Sequence, residues 1–176
     1  SVCVGRVYNR LNEDYEPLHA LCRFFLEHTG PSRRLGDRTM LPFLVDMADV
    51  FEMFVSEWLQ EYLPEQYEVR AHLKERVGGK IKFDLDLVLF DKDSNRPICV
   101  LDTKYKDHDE PKSADLSQVV TYAVLQDCER AALVYPRKLS NAFHAPIGEI
   151  DVRAFSFPVG EDIQAAGEEF RDELLR

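Results

Sequence analysis

Across residues 81–106 the chain sets two apolar, β-branched runs either side of a polar stretch, residues 91–97, that is rich in turn formers. That pattern predicts two paired strands joined by a loop. Charged residues interrupt both runs: Asp84 and Asp86 in the first, Asp102 and Lys104 in the second. Strand residues two apart share a face. Asp84, Asp86 and Val88 are therefore expected on one side of the first strand, and Val100, Asp102 and Lys104 on one side of the second. A hairpin folded about Ser94 sets Asp86 opposite Asp102 and Asp84 opposite Lys104, a register the loop length alone does not fix.

The flanking periodicity supplies the other elements. Residues 2–8 suit a short strand. Pro17 opens a helix to about His28, with Leu18, Leu21, Cys22, Phe25 and Leu26 at helical spacing and Thr29-Gly30-Pro31 as its stop. A second helix starts near Asp46 and ends before Pro64. Its stripe is Met47, Val50, Phe51, Phe54, Val55, Trp58, Leu59 and Tyr62, with Glu52 at the stripe's edge. Residues 67–73 alternate as a strand. Ser113 suits the N-cap of a helix to about Asp127, with Leu116, Val119, Val120, Ala123 and Val124 buried and Gln118 and Tyr122 on a different face. Residues 131–135 and 149–159 read as strands, 137–148 as loop, and 162–176 as a last helix with Ile163, Ala166, Phe170 and Leu174 inward. The order is ααβββαββα. A helix between the third and fourth strands is a crossover, so an α/β domain with a mixed sheet flanked by helices is predicted.

Composition narrows the possibilities. A chain of 176 residues without repeats or low-complexity linkers suits one domain spanning 1–176. No apolar run approaches the roughly 20 residues that cross a bilayer. Cys3, Cys22, Cys99 and Cys128 lack metal or disulfide-framework spacing and read as reduced thiols of a cytoplasmic protein. A net charge of −10 argues against tight unaided binding to nucleic acid, though not against chemistry on phosphates. Two local basic groups stand out: Lys74, Arg76, Lys80 and Lys82, and the loop with Arg33, Arg34 and Arg38.

The acids carry the candidate chemistry. Two carboxylates crowded together repel, and a hard divalent ion such as Mg²⁺ or Mn²⁺ is the natural occupant. Lys104 beside such an ion can orient or deprotonate a water and stabilise charge on a phosphate. The same residues also suit a surface hairpin with alternating charges and a cross-strand salt bridge.

Asp86, the Asp102-Thr103-Lys104-Tyr105-Lys106 segment, the Phe51-Glu52 helix and the Gln118-x-x-x-Tyr122 pair together resemble the PD-(D/E)xK nuclease superfamily. Within it they are most similar to the nuclease domain of the McrC family, the cleaving subunit of McrBC-type restriction systems. Tyr15, the 46–52 and 115–122 segments and Val134-Tyr135-Pro136 extend the likeness over about residues 8–136. Leu85, not proline, precedes Asp86, which leaves Asp84 as a competing first acid.

The resemblance implies a restriction-endonuclease-like fold, here the C-terminal part of a longer McrC-like protein. It implies Mg²⁺, with Mn²⁺ as a substitute, held by Asp86 and Asp102, with the Thr103 carbonyl and Glu52 completing the shell. Lys104 would position the attacking water, and Gln118 and Tyr122 would brace the site or touch the DNA backbone. The implied partners are methylated double-stranded DNA and an McrB-like AAA+ GTPase. Two other roles stay open: a stand-alone nuclease in repair or junction processing, and a catalytically idle DNA-clamping or assembly module.

Overall fold

The computed structural model describes residues 16–28, 45–106, 110–160 and 162–176. The expectations for residues 2–8, Cys3, Tyr15, the 29–31 stop and the Arg33, Arg34, Arg38 loop lie outside the described residues. The chain divides into two compact units, Ser1–Val45 and Asp46–Arg176. In the first, helix α1 spans Glu16–His28, with Leu18 and Leu21 exposed and Cys22 half-buried.

The second unit holds α2 (Met47–Tyr62), β1 (Tyr67–Val77), β2 (Ile81–Asp91), β3 (Arg96–Thr103), α3 (Ser113–Leu125), β4 (Arg130–Tyr135), β5 (His144–Ile147), β6 (Ile150–Ser156) and α4 (Ile163–Leu174). The six strands form one sheet in the order β1-β2-β3-β4-β6-β5. The β3–β4 and β4–β6 pairs are parallel and the others antiparallel. The mixed sheet with the α3 crossover is the restriction-endonuclease-like architecture expected. Strand β5 is an addition to the predicted order, inside a stretch read as loop. Its four residues, with Pro146 among them, carry too little apolar pattern to announce a strand, and pairing with β6 makes it one.

Helices cover both faces. On one, Phe51, Val55, Trp58 and Leu59 of α2 and Phe170 and Leu174 of α4 pack on Leu87, Leu89, Cys99, Leu101 and Val134. On the other, Val119, Tyr122 and Ala123 of α3 pack on Leu85, Val88, Val100, Ala131, Leu133 and Val152. Asp46 caps α2 by accepting the Ala48 N–H at 2.9 Å. The edges of its predicted stripe, Met47, Val50 and Tyr62, are exposed.

Two readings of α3 are corrected. Lys112, not Ser113, is its N-cap, and its side chain makes no capping bond. Tyr122 does not lie apart from the buried stripe: it is buried with Val119 and Ala123, while Val124 is 64% exposed. Tyr122 turns its ring inward, edge-on to Phe83 of β2, and Asp115 reaches Lys106. In the last helix Phe170 and Leu174 are buried as expected, joined by Gly167, and Ile163 stays exposed. Among the described residues no helix is long and apolar enough to cross a membrane.

The β2–β3 register is the one a hairpin about Ser94 requires: Leu87 pairs with Leu101, Val88 with Val100 and Leu89 with Cys99. A shift between Leu89 and Phe90 then closes a short turn, which Asp91 fastens by accepting the Ser94 N–H and Oγ–H, both at 2.7 Å. At the other end of β2 the simple alternation fails. Leu85 packs with Val88 on the α3 face, while Leu87 packs on the α2 face, so the side-chain alternation breaks at Asp86 although the register with β1 continues unshifted. Asp84, Asp86 and Val88 therefore do not share one side as the period-two pattern predicts. The physical reason lies in β1. Ala71 pairs with Leu87 and Leu73 with Leu85, but His72 between them sits at φ 52° and takes no ladder partner. A left-handed residue cannot continue a strand's pleat.

Candidate active site

The site is built where β2 and β3 lose their regular pairing. Asp102 is wholly buried, near the end of β3. Lys104 follows just beyond the strand, its backbone N–H donating to the Val134 carbonyl at 2.8 Å, which ties the segment to β4. Lys104 Nζ lies 2.5 Å from Asp102 Oδ2, and the lysine side chain is only 11% exposed. Nζ also donates to Gln118 Oε1 at 3.4 Å, and Gln118 Nε2 donates to the Tyr122 hydroxyl at 2.9 Å. Asp102, Lys104, Gln118 and Tyr122 thus form one chain of contacts from sheet to helix.

Asp86 enters from β2. Its Oδ2 accepts the Thr103 N–H at 2.9 Å and the Thr103 Oγ1–H at 3.3 Å. This explains why Thr103 is buried without loss: Asp86 satisfies both of its donors. Asp84, by contrast, is exposed and pairs across the sheet with Lys74. Of the two candidate first acids, Asp86 is the one beside Asp102.

The electrostatics agree with the contacts. Burial pushes the Asp102 carboxyl up to about 7, and repulsion from Asp86 adds to it, against the pull of Lys104. Burial likewise raises Glu52, with Asp86 as the next cause and His72 opposing it. Glu52 of α2 therefore feels the same cluster from the other side, and its Oε1 lies 3.3 Å from His72 Nδ1. The structure brings Glu52, Asp86, Asp102, Thr103, Lys104, Gln118 and Tyr122 into one neighbourhood.

The donor set fits a hard divalent cation. Neither oxygen of Asp102 makes a well-formed hydrogen bond among the described residues, so this buried carboxylate is left with only the close charge of Lys104. Buried carboxylate oxygens without donors favour a bound cation. No group of three or more His, Cys, Asp or Glu forms a metal cage among the described residues. Two carboxylates with water in the remaining positions is how Mg²⁺ is usually held, whereas zinc favours a closed set of nitrogen and sulfur ligands.

Two contacts were missed from sequence. Asp115, in the first turn of α3, is buried and lies 2.6 Å from Lys106 Nζ. An acid in the first turn of a helix ordinarily reads as dipole compensation, which hid its ion pair. His72 lies in the alternating 67–73 run, and nothing in its neighbours signals a positive φ.

The family model described as McrBC 5-methylcytosine restriction system component matches residues 6–136. No curated protein matches the chain. Among solved structures it is similar to a chain of the refined half-complex from the tetradecameric assembly of Thermococcus gammatolerans McrB AAA+ hexamers with bound McrC. The two share 20% identity at a TM-score of 0.66, over 98% of this chain and 41% of that one. The present chain thus spans about two fifths of its neighbour's length, and the likeness speaks to fold. The family match covers most of the chain, including Glu52, Asp86 and the whole 102–122 segment, and on that ground the chain belongs to the McrBC 5-methylcytosine restriction system component family.

Proposed function

We propose that this chain is the DNA-cleaving part of a McrBC-type restriction complex, a PD-(D/E)xK phosphodiesterase acting on double-stranded DNA that carries methylated cytosine. The observation that carries the reading is the buried Asp102–Lys104 pair beside Asp86, with Lys104 held in turn by Gln118. A purely structural salt bridge has no need of a second carboxylate that raises the first one's pKa.

Asp86 and Asp102 would hold Mg²⁺, or Mn²⁺ in its place, with Glu52 and the Thr103 carbonyl as further ligands directly or through water. The ion, when bound, neutralises charge developing on the scissile phosphate. The Lys104 ammonium, kept within the site by its contact with Asp102, would orient the attacking water and stabilise charge developing on the phosphate. Gln118 fixes the Lys104 head and Tyr122 fixes Gln118, so the ammonium has one direction to point. Asp86 does a second task by holding the 103 peptide, which sets the distance between the two strands.

The grip on DNA is argued from charge. With a net charge of −10 the chain needs help to hold a polyanion. The exposed β1–β2 turn offers Lys74, Arg76, Lys80 and Lys82, with Arg76 paired across to Lys82. An AAA+ GTPase of the McrB kind supplies the rest, a partner that the name of the structural neighbour supports. The test is cleavage of methylated and unmethylated duplexes with and without such a partner, in Mg²⁺ and in chelator, comparing wild type with Lys104→Ala. Mg²⁺-dependent cutting of the methylated duplex that vanishes in the variant is expected. Cutting at the wild-type rate by Lys104→Ala overturns the assignment.

A further inference from the structure

We propose that His72 is a positioning residue of this site: held in a left-handed conformation that interrupts β1 across from Asp86, it fastens Glu52 so that its carboxylate faces Asp86. The inference rests on the metal-dependent reading above and goes beyond it.

Three observations carry it. First, His72 occupies φ 52° inside an eleven-residue strand, a conformation that side-chain-bearing residues rarely adopt. Such a residue persists only where its surroundings hold it. Second, the ladder pairs Ala71 with Leu87 and Leu73 with Leu85 but omits His72, and the break in side-chain alternation of β2 falls at Asp86. Asp86, released from regular pairing, turns to the Thr103 N–H. Third, the His72 imidazole is 3.3 Å from Glu52 Oε1, a buried atom without a well-formed hydrogen bond among the described residues.

Packing does not account for a histidine at this position, because its side chain is 62% exposed. Among the described residues its polar contact reaches inward to a glutamate that Asp86, Asp49 and Asp84 all repel. Without the imidazole, those charges favour swinging the Glu52 carboxylate out to water. With it, a proton on Nδ1 faces Oε1 and holds Glu52 within the carboxylate cluster, whereas the tautomer protonated on Nε2 offers Oε1 only a lone pair. Residues that orient ligands in this way typically change metal affinity by about 10–100-fold.

Two variants separate the side chain from the backbone. His72→Gly takes the left-handed conformation at no cost but has no side chain, and His72→Asn tolerates it and offers an amide donor. Mn²⁺ is titrated into the full chain by calorimetry, with Asp102→Ala as the control for the site. His72→Gly is expected to fold and to bind Mn²⁺ about tenfold more weakly, and His72→Asn to recover most of the loss. Wild-type affinity in His72→Gly, or no recovery in His72→Asn, overturns the proposal. The contact is also read without metal, as the ¹⁵N resonances of the His72 ring in wild type and Glu52→Gln. A shift on substitution supports it, and identical spectra overturn it. Were Mn²⁺ to bind neither wild type nor Asp102→Ala, the metal-dependent reading would fall while the ring spectra still decided the His72–Glu52 contact.

Discussion

Lys104 Nζ stands 2.5 Å from Oδ2 of Asp102, two residues earlier in the chain, and both side chains are almost wholly removed from water. Removing one partner of a buried pair leaves the other charge uncompensated, at a cost of about 3–5 kcal/mol. Lys104→Met, which keeps the stem's volume, is therefore expected to destabilise the metal-free protein at pH above 7, by less than that range to the extent that Asp102 takes up a proton in its place. Adding Asp102→Asn should return most of the loss, because the double variant leaves neither charge of the pair buried. Urea unfolding of the four proteins in chelator measures the coupling, and additive losses would mean the pair is not coupled.

The raised Asp102 carboxyl makes a signed prediction about pH. Its ordinary value is 3.8 and its folded value about 7. Between those limits the folded chain holds a proton that the unfolded chain has released, so stability falls as pH rises. The contribution is fully present below the lower limit and lost above the upper one. Glu52, raised by burial and by Asp86, acts in the same sense. Asp91, lowered by its bonds from Ser94, acts in the opposite sense, as does Asp151, where His144 and Arg153 together outweigh burial. The difference between wild type and Asp102→Asn isolates the contribution of Asp102. Unfolding free energies in chelator between pH 4.5 and pH 8 should show it, and a flat difference would refute the burial argument.

How much of this was legible beforehand follows from which forces write themselves into local sequence. The hairpin itself and the placing of Asp102 and Lys104 together came from turn residues and period-two alternation, both local signals, while Asp86 followed from a register assumed about Ser94. The broken alternation at Asp86 did not, because its cause is the conformation of His72 on a different strand. Tyr122 was misplaced for a related reason: helical spacing sets a phenol with the polar residues, whereas its ring packs edge-on to Phe83 of β2. Strand β5 exists only because β6 offers it a ladder. Each miss marks a tertiary partner overriding a local preference.

The two candidate first acids are separable by experiment. Asp86→Asn keeps an oxygen to accept the Thr103 N–H but loses the charge, so the fold should persist while Mn²⁺ affinity drops roughly tenfold or more. Asp84→Asn changes an exposed residue opposite Lys74 whose repulsion is the last of the causes acting on Glu52, and should change affinity far less than Asp86→Asn. Calorimetric titration of both variants checks this. Equal losses would move the first acid from one position to a shared role.

Gly167 gives a prediction that concerns the frame of the site and none of its chemistry. In a helix interior glycine costs about 1 kcal/mol relative to alanine, so Gly167→Ala would ordinarily stabilise. Here a methyl at position 167 overlaps the indole of Trp58 across the α2–α4 contact. The indole has no room to retreat, being stacked on Tyr62 at 4.7 Å and set edge-on to Phe157 at 5.2 Å. Overpacking of this kind costs about 1–3 kcal/mol, which outweighs the gain in helix propensity. Gly167→Ala is therefore expected to destabilise. In a Trp58→Phe background, where the smaller ring vacates the space, the same substitution should become neutral or stabilising. Urea unfolding followed by circular dichroism decides it, since the only tryptophan is altered in half the set. Because α2 also carries Glu52, the destabilised single variant should bind Mn²⁺ more weakly as well, and the rescued double variant should regain that affinity.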